Sequence, residues 1–166
     1  MSGVVAWLTG LPSAGKTTLA WHAAELLRDA RPVVVLDGDE LREALRPTPG
    51  YDDAGRDAFY ETLARLAALL ARQGVVVLVA ATAHRRAFRE RARELAPAFL
   101  EIFVDTPAAE CTRRDTKGLY GALASGPSTL PGVGVPFEPP ASPDLRILPS
   151  DQAPAELIAG RLRTLQ

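Results

Sequence analysis

The stretch that decides the fold is Gly10-Leu11-Pro12-Ser13-Ala14-Gly15-Lys16-Thr17, which matches the pattern G-x-x-x-x-G-K-[S/T] in full. The apolar segment Val4–Thr9 precedes it and a helical pattern follows it, which is the context the pattern requires. Its glycines let successive backbone N–H groups point at phosphate oxygens, and the following helix adds the positive end of its dipole. This context favours a phosphate-binding loop over a glycine-rich turn with a chance lysine.

The polar residues of this loop predict a nucleoside triphosphate and Mg²⁺ as ligands. Lys16 would supply a positive charge to the β- and γ-phosphates, and the Thr17 hydroxyl would bind Mg²⁺. We expect the nucleotide to be held by Gly10, Ser13, Ala14, Gly15, Lys16, Thr17 and Thr18.

Apolar segments alternate with helical patterns along the rest of the chain, which is typical of a parallel α/β sheet. The predicted strands are Val4–Thr9, Val33–Leu36, Val75–Ala80, Phe99–Val104 and Leu145–Leu148. The predicted helices are Lys16–Asp29, Asp39–Leu45, Ala54–Arg72, Arg85–Leu95, Pro107–Arg114 and Pro154–Leu165, the fourth being basic and expected to be exposed. We therefore predict a three-layer α/β fold, with helices on both faces of a parallel five-stranded sheet.

Composition narrows the class of protein. The chain has 166 residues, 47% of them hydrophobic, and a formal net charge of −1, which predicts one domain over residues 1–166 and no general affinity for nucleic acid. Its single cysteine excludes an internal disulfide and suits a reducing compartment. There is no apolar run of about 20 residues and no signal-peptide pattern, so we expect a cytoplasmic protein without membrane contact.

An acidic turn, Leu36–Arg42, directly follows the second predicted strand. The carboxyl ends of parallel strands meet at one edge of a sheet, so Asp37 and Asp39 are expected beside the phosphate loop. We predict that Asp37 helps to hold Mg²⁺ and that Asp39 accepts a proton from the acceptor hydroxyl. The alternative is structural, with Asp39 capping the helix that starts there.

The segment Gly118–Pro143 is rich in glycine and proline. A loop of this length inside a small domain is usually functional. We expect it to form a stiff lid, over residues 117–143, that closes on the substrates and excludes water.

These residues resemble the adenylylsulfate kinase (APS kinase) family, which phosphorylates the ribose 3′-hydroxyl of adenosine 5′-phosphosulfate (APS) with Mg·ATP. The resemblance is carried by Gly10–Ala20, Leu36–Arg42, Ile102–Pro107, Arg114–Tyr120, Pro136–Pro140 and Pro143–Leu145. It implies the strand order of the P-loop kinases, an APS-like acceptor and, as in many members, a homodimer. It also implies that Arg114 borders the ATP adenine and that Lys117 takes part in catalysis and acceptor binding.

By this resemblance, the acceptor is bound by Asp39, Arg42, Tyr51, Arg56, Phe59, Thr82, Lys117 and Leu130. The family segment Gly-Phe-Ser-x-x-Asp-Arg-x-x-Asn-Ile-Arg-Arg corresponds to Gly50–Thr62, in which Arg56 is retained and Tyr51 keeps an aromatic ring. The departures are Gly55 for aspartate, Phe59 for asparagine, and Glu61 and Thr62 for two arginines.

Two further departures lie outside that segment. Ala83 stands where the family has a serine that can be phosphorylated, which leaves direct in-line transfer. Leu130–Gly134 replaces Phe-Thr-Gly-Ile-Asp, which removes an aromatic wall of the acceptor site. His84 is expected either as a polar contact to the acceptor or as a surface cap of the next helix.

Three functions remain open from the sequence. The first is APS phosphorylation. The second is phosphorylation of another nucleotide or small metabolite by the same fold. The third is a nucleotide-binding protein without catalysis, which the presence of Lys16, Thr17, Asp37, Asp39 and Arg114 disfavours.

Overall fold

The sheet sets the frame of the molecule. The computed structural model describes residues 1–122 and 128–165. Within these residues, parallel strands form one sheet in the order β2-β3-β1-β4-β5. The strands are β1 (Val4–Thr9), β2 (Val33–Asp37), β3 (Val76–Ala80), β4 (Phe99–Val104) and β5 (Leu145–Ile147). The predicted parallel five-stranded sheet is confirmed.

Helices cover both faces of the sheet, which confirms the three-layer prediction. They are α1 (Lys16–Leu27), α2 (Gly38–Ala44), α3 (Asp53–Arg72), α4 (Arg86–Leu95), α5 (Ala108–Arg114) and α6 (Pro154–Arg163). Helices α1 and α6 pack together on one face, and α3 and α4 pack together on the other. The first and last helices end before their predicted limits, at Leu27 and Arg163.

Strand β1 lies at the centre of the sheet and joins its two cores. Because side chains alternate along a strand, Val4, Ala6 and Leu8 enter the core beneath α1 and α6, whereas Val5 and Trp7 enter the core beneath α3 and α4. All six side chains of β1 are buried. The phosphate loop therefore starts from a fully buried strand at the centre of the sheet.

Helix α4 departs from its prediction, because its basic sequence does not make it wholly exposed. Arg89 is 1% exposed and its Nε donates to Glu101 Oε2 on β4 at 3.0 Å. Its other nitrogens donate to the carbonyls of Ala83 at 2.5 Å and Glu138 at 2.6 Å. This buried arginine ties the end of the lid segment to the sheet.

None of the helices in the described ranges is long and apolar enough to cross a membrane.

Candidate active site

One cavity of about 1220 Å³ opens at the carboxyl edge of the sheet. The loops after β1, β2, β3, β4 and β5 all contribute to its wall. Of the residues predicted for the site, it is lined by Ser13, Ala14, Gly15, Lys16, Thr17, Thr18, Asp37, Asp39, Arg42, Tyr51, Arg56, Phe59, Thr82, Arg114, Lys117 and Leu130. Gly10 lies outside this lining, although it was predicted to contact the nucleotide.

Gly10 has a packing role at the start of the phosphate loop. A Cβ at this position would lie 2.5 Å from the Val104 carbonyl oxygen, so only glycine lets β1 and β4 approach here. The loop is then held by two hydroxyl donors, Thr106 to the Ala14 carbonyl and Tyr120 to the Pro12 carbonyl, each at 2.9 Å. The backbone of the loop is thus fixed before any ligand arrives.

The Lys16 ammonium lies inside the loop. Its Nζ donates to the carbonyl oxygens of Gly10 at 2.9 Å and Leu11 at 2.8 Å. Burial, followed by repulsion from Lys117, lowers the pKa of Lys16 to about 7. The negative charge of a polyphosphate would favour the protonated form and raise this pKa again.

Asp37 links β2, α1 and α2. Its Oδ2 accepts a hydrogen bond from the Thr17 hydroxyl at 2.5 Å. Its Oδ1 accepts from the backbone N–H groups of Asp39 at 3.0 Å and Glu40 at 3.1 Å, so Asp37 is the N-cap of α2. The alternative that Asp39 caps this helix is wrong, because the chain becomes helical one residue earlier than the sequence suggested.

Asp39 is left free of that capping role and faces the cavity. Its Oδ2 forms an ion pair with Lys117 Nζ, which comes from the predicted lid segment. Both side chains are about half exposed, so a ligand can reach them. This pair brings together two residues predicted to be catalytic that lie far apart in the sequence.

Two arginines occupy the far end of the cavity. Arg42 is 7% exposed and Arg56 is 6% exposed. Arg42 Nη1 donates to the carbonyls of Pro49 and Gly50, and Arg56 Nη2 donates to the carbonyl of Thr129. Neither guanidinium pairs with a carboxylate in the ranges that the structure describes. Two buried positive charges that meet no carboxylate within these ranges make this end suited to an anion.

Gly55 explains one departure from the family pattern. A Cβ at Gly55 would lie 2.4 Å from the Gly50 carbonyl oxygen and 2.6 Å from Asp52 Oδ1. Asp52 is the N-cap of α3 and accepts the Gly55 N–H at 3.0 Å. The missing side chain lets the Gly50 loop lie directly against the start of α3.

Glu61 and Thr62 stand where the corresponding family segment has two arginines. Both lie outside the cavity lining. The Glu61 carboxylate instead accepts hydrogen bonds from Arg65 and Arg91, which lower its pKa. Arg56, Phe59 and Tyr60 lie on the buried side of α3, whereas Glu61 is partly exposed and Thr62 is exposed.

Arg114 lines the nucleotide end of the cavity. Its Nη1 is 3.4 Å from the Ala14 carbonyl oxygen, and its Nε donates to Glu110 at 2.9 Å. Hydrogen bonds from Arg113 and Arg114 lower the pKa of Glu110 to about 2. Glu110 therefore stays ionised and holds Arg114 against the phosphate loop.

The sequence reading missed several residues of the cavity wall. Pro149 and Asp151 follow β5, and Thr116 follows α5 with its hydroxyl 3.2 Å from that of Ser13. The rule that singled out Asp37, a position just beyond the carboxyl end of a strand, would also have found Pro149 and Asp151. Thr116 carries no comparable signal.

His84 fits neither prediction made for it. It is 1% exposed, lies outside the cavity lining, and packs edge-on against the rings of Tyr60 and Phe88. The N-cap of α4 is Arg85. Neither ring nitrogen of His84 has a hydrogen-bond partner among the described residues. Burial, aided by the charges of Arg56 and Arg85, lowers its pKa to about 4.

We expect His84→Met to make folding less sensitive to acid. The pKa of the imidazole is 6.5 ordinarily and about 4 in the folded chain, so the unfolded state binds a proton first as the pH falls. The parent chain should therefore lose stability between pH 6.5 and pH 4, and the variant should lose less. Urea unfolding at about pH 7.5 and about pH 5 measures this. An equal difference between the two chains at both pH values would contradict it.

Comparison with known proteins gives one consistent result. A family model described as adenylylsulphate kinase matches residues 2–148. The adenylyl-sulfate kinase of Synechococcus sp. (strain JA-2-3B'a(2-13)) is 40% identical over 158 residues, which is 94% of this chain and 90% of that protein. The adenylyl-sulfate kinase of Chloroflexus aurantiacus is 43% identical over 148 residues, which is 88% of this chain and 80% of that protein.

A solved structure agrees with these relatives. The APS kinase of Mycobacterium tuberculosis, in complex with AMPPNP and APS, superposes with a TM-score of 0.86 at 33% identity. The match covers 99% of this chain and 95% of that one. The phosphate loop and the arginine pair thus lie in a fold that is shared over almost the whole chain, and the chain belongs to the adenylylsulfate kinase family.

Proposed function

We propose that this protein transfers the γ-phosphoryl group of ATP to the 3′-hydroxyl of adenosine 5′-phosphosulfate. One observation carries the proposal. One cavity is lined both by the phosphate loop and by two buried arginines that pair with no carboxylate in residues 1–122 and 128–165, and Asp39 and Lys117 also line it. Two anionic substrates can therefore bind in the same cavity, where Asp39 can act as a base and Lys117 provides a positive charge. Membership of the family supports this choice of donor and acceptor.

The donor end would bind Mg·ATP. Lys16 would leave the carbonyls of Gly10 and Leu11 to contact the β- and γ-phosphates. The Thr17 hydroxyl and the Asp37 carboxylate lie 2.5 Å apart and provide the hard oxygen ligands that Mg²⁺ prefers. When bound, the ion would neutralise charge on the phosphoryl oxygens. Arg114 would border the nucleotide beside the loop.

Asp39 would act as the general base. The acceptor hydroxyl would give its proton to the Asp39 carboxylate as the oxygen attacks the γ-phosphorus in line. Lys117, now paired with Asp39, would stabilise the charge that develops on the transferred group. No phosphoenzyme forms at Ala83, because this residue has no hydroxyl.

We further propose that residues 117–143 close over both substrates. Two contacts already join this segment to the two ends of the cavity. The Tyr120 hydroxyl donates to the phosphate loop at Pro12, and Arg56 donates to the carbonyl of Thr129. Residues 123–127 of the predicted lid lie outside the described residues.

Purified protein is expected to convert APS and Mg·ATP to the 3′-phosphorylated product, and product analysis by anion-exchange chromatography tests this. Omitting Mg²⁺, or adding a chelator, should abolish turnover. A chain that binds ATP but leaves APS unchanged would contradict the proposal.

The alternative is an acceptor other than APS, which is favoured by the apolar residues Phe59 and Leu130, both of which line the cavity. A panel of hydroxyl-bearing nucleotides, assayed beside APS, distinguishes the two. Faster turnover of another member of the panel would favour the alternative.

A further inference from the structure

The Arg42 guanidinium is enclosed by aromatic rings. Its Cζ lies 4.0 Å from the centroid of the Phe59 ring and 4.3 Å from that of Tyr51. The Phe59 ring is 2% exposed, whereas Tyr51 is 59% exposed. Phe59 is therefore the buried contact of the two, and Tyr51 is the exposed one.

The hydrogen bonds of Arg42 leave part of it available. Nη1 is used by the carbonyls of Pro49 at 3.3 Å and Gly50 at 3.2 Å. Nε and Nη2 have no hydrogen-bond acceptor in residues 1–122 and 128–165. Since Arg42 lines the cavity, these two nitrogens are the donors that can meet an anionic acceptor.

The Phe59 side chain is well placed to hold the Arg42 guanidinium in one orientation. It projects from the rigid helix α3 and is wedged edge-on against the Tyr60 ring, with centroids 5.2 Å apart. Its π-face attracts a cation but offers no hydrogen-bond acceptor that would compete with the ligand. The guanidinium is held without using its remaining N–H groups.

We propose that Phe59 is a positioning residue for the acceptor, which acts by holding Arg42 with Nε and Nη2 directed at the acceptor's anionic group. This rests on the proposed function for the identity of the acceptor. The contact itself is independent of that identity, because any anion bound at this end meets the same guanidinium.

The test is a double-mutant cycle with Phe59→Leu, Arg42→Ala and the double variant. Phe59→Leu should raise the KM for APS about 10-fold and leave the KM for ATP within about twofold of the parent value. In the Arg42→Ala background, the same change should raise the KM for APS less than about twofold. Phe59→Tyr, which keeps the ring, should behave like the parent chain.

Phe99→Leu is the matched control. It also removes a ring beneath an arginine, since Arg93 Cζ lies 4.8 Å from the Phe99 centroid, but this ring is outside the cavity lining. It should leave the KM for APS unchanged. Thermal unfolding of each variant checks folding, and Phe59→Met replaces Phe59→Leu if the latter does not fold.

A binding experiment separates this inference from the proposed function. Inorganic sulfate is titrated by calorimetry into protein whose phosphate loop is saturated with AMPPNP. Loss of sulfate affinity in Phe59→Leu, but not in Phe99→Leu, would support the inference even if APS is not turned over. An equal effect of Phe59→Leu with and without Arg42, or equal rises in both KM values, would overturn it.

Discussion

Lys16→Ala is expected to lower kcat/KM for phosphoryl transfer by about 1000-fold, the loss typical of removing one preorganised charge from a transition state. The ammonium lies inside the loop, and the carbonyls of Gly10 and Leu11 are its hydrogen-bond acceptors in the part of the chain that the structure describes. A polyphosphate can therefore take over its hydrogen bonds without displacing any other side chain. Steady-state kinetics with saturating Mg²⁺ measures the loss.

The fold should survive this substitution. The Lys16 ammonium carries a burial penalty that lowers its pKa to about 7, so its removal costs little stability. Lys16→Met keeps the length of the side chain without the charge and should lose as much activity as Lys16→Ala. Transfer within about tenfold of the parent rate in either folded variant would contradict the role proposed for Lys16.

Asp39→Asn is expected to lower kcat by about 100- to 10,000-fold, the range that general-base catalysis contributes. The amide keeps the shape of the carboxylate but cannot take the proton of the acceptor. Affinity for ATP should change little, because the phosphate loop and Thr17 are untouched. Single-turnover measurements with both substrates saturating isolate the chemical step.

Glu40→Gln is the control for Asp39→Asn. Glu40 is the next residue of α2 and is exposed, but it does not line the cavity. Removing its charge should leave kcat within about twofold of the parent value. A comparable loss of kcat in both variants would mean that turnover depends on the negative charge of α2 as a whole and not on a general base at Asp39.

Sequence reasoning could predict the features that depend on local pattern. The phosphate loop and the edge at which Asp37 lies follow from segments whose period and order are visible in the chain, and the structure has them as predicted. The sequence could also have excluded Glu61, because helical periodicity places it on the side of α3 opposite Phe59.

Features that depend on distant contacts could not be read from the sequence. Arg89 in α4 has the same local pattern as its exposed neighbours, and only Glu101 on β4 explains why it is buried. The buried position of His84 was not among the two roles expected for it, because its partners, Tyr60 and Phe88, are set by the packing of α3 against α4. The rings around Arg42 likewise meet only in three dimensions.

The close contact at Gly55 has a consequence for how the acceptor segment can change. The family pattern has serine at position 52 and aspartate at position 55, whereas this chain has Asp52 and Gly55. An aspartate introduced at Gly55 alone would collide with the Asp52 carboxylate and the Gly50 carbonyl. The backbone contact is the closer of the two and does not depend on the residue at position 52, so an aspartate at position 55 requires the Gly50 loop itself to move away from α3.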